Sequence, residues 1–462
     1  MRNIVLTTVA EPKKDCSGSP IFLTDETIEE RKQKILANMQ KANLDKLVVY
    51  GDVEHGSNFE YLVGYFTRFE EALLILDKSG EMNLVLGNEN LNKASKSRIQ
   101  PNTTVHVSLF SLPNQPNRTD KTFKELLQDA GLAEGQRVGL VGWKNFTSTL
   151  EDNKHTYDVP YYIVKTIMEI IKDESLLTNE CSIFIGENGA RCTNNPNEIA
   201  HYEYSASLAS DCILDAMNAL NEGTNELELG DKLVRFGQHT SIVTIASSGP
   251  RFINANMFPR NNTVKLGDPI SLTNGYRGGS SSRAGVAIYD ETQLAKGQED
   301  YLDRVAKPYF NAYVAWLENI KCGMKGHEMF DLIEKELPRN KYGWSLCPGH
   351  LIGEEEWMSS PIYEGSNELL LSGMLLQIDI IPSVKGYNGV SAESTVLLAD
   401  EKLQEAIKNQ YPDMYQRMMD RRTYLMEELG IDLSKDVMPM CSTVAYLRPF
   451  LLAHDKALKV IK

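Results

Sequence analysis

Three glycine-led segments between residues 349 and 398 constrain the fold of this chain more than any other feature. Gly349-His350-Leu351-Ile352-Gly353 comes first. Gly373-Met374-Leu375-Leu376-Gln377-Ile378-Asp379 follows, and then Gly389-Val390-Ser391-Ala392-Glu393-Ser394-Thr395-Val396-Leu397-Leu398. Each is an apolar, strand-like run with one titratable side chain. A carboxylate in an apolar run needs a partner, because burying an unpaired charge is costly. The three side chains are therefore expected to converge on one cleft. The plainer readings are a core histidine at His350, a structural pair of Asp379 with Arg283 or His350, and a solvent-facing strand residue at Glu393.

At 462 residues the chain has room for two or three domains with ample cores. It carries 48 basic and 63 acidic side chains, a net charge of -15. That balance argues against nucleic acid and anionic membrane as partners. An anionic substrate would need a local Arg or Lys to receive it. The cysteines (Cys16, Cys181, Cys192, Cys212, Cys322, Cys347 and Cys441) show no CxxC spacing and are odd in number. Free thiols in a reducing, cytoplasmic compartment are expected. The apolar run Ile4 to Ala10 is broken by threonines and is too short and polar for a signal peptide. No later stretch reaches membrane-spanning length. With no secretion signal, triplets such as Asn145-Phe146-Thr147 read as chance.

Residues 1–20 look like a loose arm. Asp25 to Ala42 has Ile28, Ile35, Leu36 and Met39 along one helical face, with Thr24 or Asp25 as cap. Strand-like runs follow at 47–50, 72–76, 84–86 and 137–141, giving an α/β domain. Pro196 opens a long helical pattern to Asn221. The boundary is placed between 189 and 190, with domains of 1–189 and 190–462. The second half has strand pairs over 270–288 and helices near 298–320 and 326–337. A strand-rich stretch over 346–398 comes next, then a helix from Pro412 to Leu429. Strands and helices are segregated, so the fold class is α+β.

The ordered trio, with Gly267-Asp268-Pro269-Ile270-Ser271-Leu272 upstream, resembles the pita-bread superfamily of creatinase, Xaa-Pro aminopeptidases, prolidases and methionine aminopeptidases. The resemblance covers nearly the whole chain. It implies a pita-bread C-terminal domain, a creatinase-like α/β N-terminal domain, a homodimer and a hydrolase. In the metallopeptidase members two Asp, one His and two Glu hold two divalent ions. Here the His falls on His350, one Glu on Asp379 and the other on Glu393. The two Asp positions fall on Thr273 and, within Ser280-Ser281-Ser282-Arg283, on Ser282, and neither supplies a carboxylate. Two catalytic histidines are matched by Met257 and Trp357, which cannot shuttle a proton.

Creatinase is similar in lacking the metal-site Asp residues, and it hydrolyses a C–N bond without metal. Its N-terminal Phe-x-Arg reaches a substrate carboxylate from the partner subunit, and Tyr65-Phe66-Thr67-Arg68 stands at that point here. A guanidinium suits a carboxylate through two parallel hydrogen bonds. Creatinase keeps a histidine that this chain replaces.

The leading expectation is therefore a creatinase-like C–N hydrolase that needs no metal cofactor. It would act on a small carboxylate-bearing or dipeptide-like substrate. His350, Asp379 and Glu393 would be catalytic, and Phe66, Arg68, Arg283 and Trp357 would bind substrate. The alternatives are an inactive ligand-binding homologue and a mononuclear enzyme with one divalent metal on His350, Asp379 and Glu393. Cys347, three residues before His350, reads as a thiol rather than a nucleophile. Glu354-Glu355-Glu356 reads as a solvated turn, one member of which could replace a lost base. Gly278-Gly279-Ser280-Ser281-Ser282 reads as a flexible hairpin.

Overall fold

The structure, a computed structural model, describes residues 2–250 and 258–461. Met257, expected at a lost histidine position, lies outside the described residues. The chain divides into two compact units, Leu23–Cys192 and Met1–Phe22 with Thr193–Lys462. The change of unit after Cys192 falls three residues beyond the expected boundary.

The smaller unit holds a six-stranded sheet. Its order is Thr103–His106, Met82–Leu86, Ala72–Asp77, Lys46–Gly51, Val138–Val141 and Leu177–Asn179. Leu47, Val48 and Val49 are all fully buried, so the central strand is covered on both faces. That is why its sequence is a continuous apolar run rather than an alternating one. The helix Asp25–Lys41 begins at Thr24, whose side chain accepts from the Thr27 N–H. It buries Ile28, Ile35 and Met39.

The larger unit is built on a seven-stranded sheet. Its order is His350–Leu351, Leu375–Gln377, Ser391–Leu398, Gly279–Val286, Pro269–Tyr276 and Ile245–Ser248, with Val437–Pro439 also paired to 391–398. The strands expected over 346–398 are thus short pieces joined by long loops, and Asp379 lies two residues past the 375–377 strand. The helix Pro196–Ala219 packs on the 269–276 and 279–286 strands. It is capped by reciprocal bonds between Asn195 and Glu198.

That packing corrects the reading of the glycine-serine run. A Cβ on Gly279 would lie 2.4 Å from the Ala206 Cα, and Gly278, at φ +113°, would meet the Tyr202 ring at 2.4 Å. Ser280 and Ser281 are fully buried. The run is small because a helix crosses it closely, not because it is a flexible hairpin.

The N-terminal segment is also not a loose arm. Asn3–Thr8 pairs antiparallel with Lys456–Ile461. Farther along, Asp15 takes two hydrogen bonds from Arg421 at 2.6 and 2.8 Å, and Arg421 also reaches Glu203 at 2.7 Å. The segment's partners lie hundreds of residues away, beyond the reach of any local pattern. Among the described residues, no helix is long and apolar enough to cross a membrane, and no disulfide is formed.

Candidate active site

Register brings the site together. Ser282 stands opposite Thr273 on one side and opposite Glu393 on the other, so these three residues form one row across three strands. His350 stands opposite Gln377 on the next pair. Gln377 is held by bonds from its amide to the Ser280 carbonyl and hydroxyl at 2.9 and 2.7 Å, and it accepts from the Thr395 hydroxyl at 2.7 Å. The result is a fixed floor from which His350 and Glu393 project. Ligand-type atoms of His350, Asp379 and Glu393 all lie within 4.8 Å of one another.

The protonation states follow from burial. His350 is 1% exposed, and burial holds its pKa below the usual histidine value. Its Nδ1–H donates to the Leu351 carbonyl at 3.2 Å. A neutral imidazole with Nδ1 occupied presents the Nε2 lone pair to the cluster, which is the state in which histidine binds metal. The 3.9 Å approach of Nε2 to Glu393 Oε1 is therefore not an ion pair. Asp379 is pushed up to about 7 by burial and then by Glu393. Glu393 is raised to about 7 by burial. The Asp379 carboxylate accepts no hydrogen bond from the described residues, although it is only 8% exposed.

A further carboxyl group feels the same charges. Glu356 is half-buried, and its pKa is raised to about 7 by burial, then by Glu393, with smaller effects of His350 and Asp379. Its neighbour Trp357 lies over the His350 ring, with centroids 5.5 Å apart and 30° between planes. The run of three glutamates is thus not simply a solvated turn. Glu354 is 6% exposed and accepts from the Tyr202 hydroxyl at 2.6 Å.

Arg283 requires correction. Strand alternation turns its side chain to the face opposite Ser282. It is fully buried. Its Nε–H donates to the Tyr446 carbonyl, one terminal nitrogen to the carbonyls of Ser282 and Glu393, and the other to the Ser394 hydroxyl and the Thr443 carbonyl. Five donors meet five acceptors, so nothing is left for a substrate carboxylate. Arg283 therefore brings no free cation to the cluster.

Trp357 is 47% exposed. Phe66 and Arg68 belong to the smaller unit, between the helix Ser57–Val63 and the strand Ala72–Asp77. The Arg68 guanidinium lies 4.7 Å from the centre of the Phe69 ring. Cys347 is half-buried, and burial raises its thiol pKa, which is the wrong direction for a nucleophile.

The donor set fits one divalent ion: a neutral imidazole and two carboxylates, with Arg283 committed elsewhere. It does not fit two. Thr273 and Ser282, where the resemblance to the metallopeptidases placed two Asp residues, are hydrogen-bonded to each other at 2.8 Å between hydroxyl oxygens. Neither carries the negative charge that a second ion needs.

No protein-family model and no curated protein matches the sequence. Solved structures do match. The Xaa-Pro dipeptidase from Bacillus anthracis aligns over 81% of this chain and 96% of its own, with TM-score 0.60 and 16% identity. The prolidase from Pyrococcus furiosus aligns over 79% and 96%, with TM-score 0.58 and 19% identity. The X-Pro aminopeptidase from Thermotoga maritima MSB8 aligns over 80% and 95%, with TM-score 0.59 and 15% identity. At such identities the likeness speaks to architecture alone. The chain has the mixed α+β, two-domain architecture of the pita-bread peptidases, and its chemistry must be read from its own residues.

Proposed function

We propose that this chain is a peptidase-like hydrolase that cleaves a C–N bond, with one divalent ion held by His350, Asp379 and Glu393. The observation that carries the reading is the convergence of those ligand atoms within 4.8 Å, one of them a buried carboxylate with no hydrogen-bond partner among the described residues. Such a carboxylate is stable only with a proton or a cation. A bound ion would supply Lewis acidity toward the scissile carbonyl. The protein's own part is to hold His350 in one tautomer through Leu351. Trp357 shields one face of that ring from water. Asp379, Glu393 and Glu356 keep protons near neutral pH that a cation can displace.

The names of the solved structures make Xaa-Pro dipeptides the first substrates to try. Turnover is expected with manganese, cobalt or zinc and not after chelation. His350→Ala should lower kcat/KM by roughly 10³-fold or more, because it removes the one nitrogen ligand. Full activity in chelator would instead favour the metal-free, creatinase-like reading, which the Thr273–Ser282 hydroxyl pair supports. No turnover of any dipeptide under either condition would sink the peptidase reading.

A further inference from the structure

We propose that Gln377 is a positioning residue of the ion site, a brace that fixes where Asp379 stands relative to Glu393. This rests on the single-ion reading above. Its basis is the way the 391–398 strand is shared between two neighbours. Residues 391–394 pair with the 279–286 strand, and residues 395–397 pair with the 375–377 strand on the opposite edge. The ladder to the 375–377 strand therefore stops at Gln377, opposite Thr395. Beyond it Ile378 N–H donates to the Ser394 carbonyl at 3.3 Å, and Asp379 comes next.

Asp379 has little of its own to hold it. Its carboxylate accepts no hydrogen bond from the described residues, yet it offers an oxygen within 4.8 Å of ligand atoms of His350 and Glu393. Gln377 stands two residues before it, on the same face of an extended chain. From there the Gln377 side chain crosses the 391–398 strand. Its amide oxygen accepts from the Thr395 hydroxyl at 2.7 Å, and its amide nitrogen donates to the Ser280 hydroxyl at 2.7 Å and the Ser280 carbonyl at 2.9 Å. Ser280 is on the strand that carries Ser282, one residue past the last pair of that strand with 391–398. One side chain thus ties three strands together at the point where the ladder ends.

A buried glutamine is unfavourable at such a position unless its bonds are the reason for it. Gln377, Ser280 and Thr395 are all fully buried, and an apolar side chain would fill the same space without needing partners. Both ends of the amide are satisfied here. A rotation of the side chain, or a slide of the strand end, would break bonds on two neighbouring strands at once. The brace therefore locks the backbone that leads to Asp379. A metal site depends on support of this kind, because an unsupported ligand does not keep the geometry that the ion requires.

The test is titration calorimetry of the full chain, freed of metal, with manganese ion alone at pH 8. Wild type is expected to bind one ion. Gln377→Leu nearly keeps the volume and removes the bonds, and it should weaken binding about tenfold or more at an unchanged stoichiometry of one. Leu376→Ala is the control for loss of stability alone. Leu376 is fully buried on the other face of the same strand. Its truncation should lower the thermal midpoint in chelator while manganese binds as it does to wild type. Thr395→Val removes one bond of the brace and should weaken binding about threefold, and it carries the test if Gln377→Leu does not fold. Wild-type affinity in Gln377→Leu, or in Thr395→Val where it stands alone, would overturn the inference and leave the single-ion reading intact. Equal weakening by Leu376→Ala would overturn it in the same way. Failure of wild type to bind any ion would overturn both.

Discussion

In the absence of divalent ions, Asp379→Asn should make the protein more stable at pH 8 than the wild type, and no more stable at pH 5. Asp379, Glu393 and Glu356 each have a folded pKa of about 7, against about 4 in an unfolded chain. The folded protein therefore binds these protons more tightly than the unfolded chain does. By linkage, the stability they contribute is complete below about pH 4 and is lost as pH rises through about 7. His350 acts in the opposite sense, because its lowered pKa costs stability as pH falls below about 6.5. At pH 8 the wild type must bury mutually repelling carboxylates. An amide at position 379 removes one of them.

The gain is on the order of 2–4 kcal/mol, since a single pKa unit is worth about 1.4 kcal/mol. It should appear as a rise in thermal midpoint of about 5 °C or more. A divalent ion should reverse the ranking at pH 8, stabilising the wild type and not the variant. At pH 5, where the carboxylates are protonated, the ion should have little effect on either. Thermal scans of both proteins, with and without manganese at the two pH values, check all four expectations. A destabilised Asp379→Asn at pH 8 in chelator would mean that Asp379 has a structural partner and that the cluster is not poised for a cation.

Much of this site could be read from the chain. His350, Asp379 and Glu393 stood out because each interrupts an apolar run, and the fold places them side by side. Thr273 and Ser282 were singled out only through the family resemblance, and in the fold the two hydroxyls satisfy each other.

Glu356 was less legible. Three consecutive glutamates look alike in sequence, and only the fold shows that Glu356 is one whose pKa burial and Glu393 raise. The strand at Asn3–Thr8 was missed because its partner is the last strand of the chain. Register between segments so far apart leaves no periodic trace in either.

Arg283 is the instructive miss, because the rule that places it was available. Ser282 faces the cluster, so its neighbour on the same strand must face the other way. Its positive charge next to an expected cation site suggested a substrate-binding role, which alternation alone rules out. What alternation cannot show is why a guanidinium is needed there. It stitches the 279–286 strand, the 391–398 strand and the 443–446 segment together through four carbonyls and one hydroxyl. Those acceptors include the backbone of Ser282 and Glu393, whose side chains form the opposite face.

Arg283→Met should therefore destabilise the larger unit by about 3–5 kcal/mol. Four buried carbonyls would lose their donor, at roughly 1 kcal/mol or more each, and methionine offers no replacement. Removing a fully buried charge returns part of that cost, which keeps the net below the sum of the separate losses. Arg283→Lys should fall between, because three donors on one nitrogen cannot span five acceptors spread over three segments. Urea unfolding followed by circular dichroism measures both. If Arg283→Met instead unfolds at the wild-type midpoint and only raises KM, the guanidinium serves substrate, and the carbonyl network is not what holds the two strands in register.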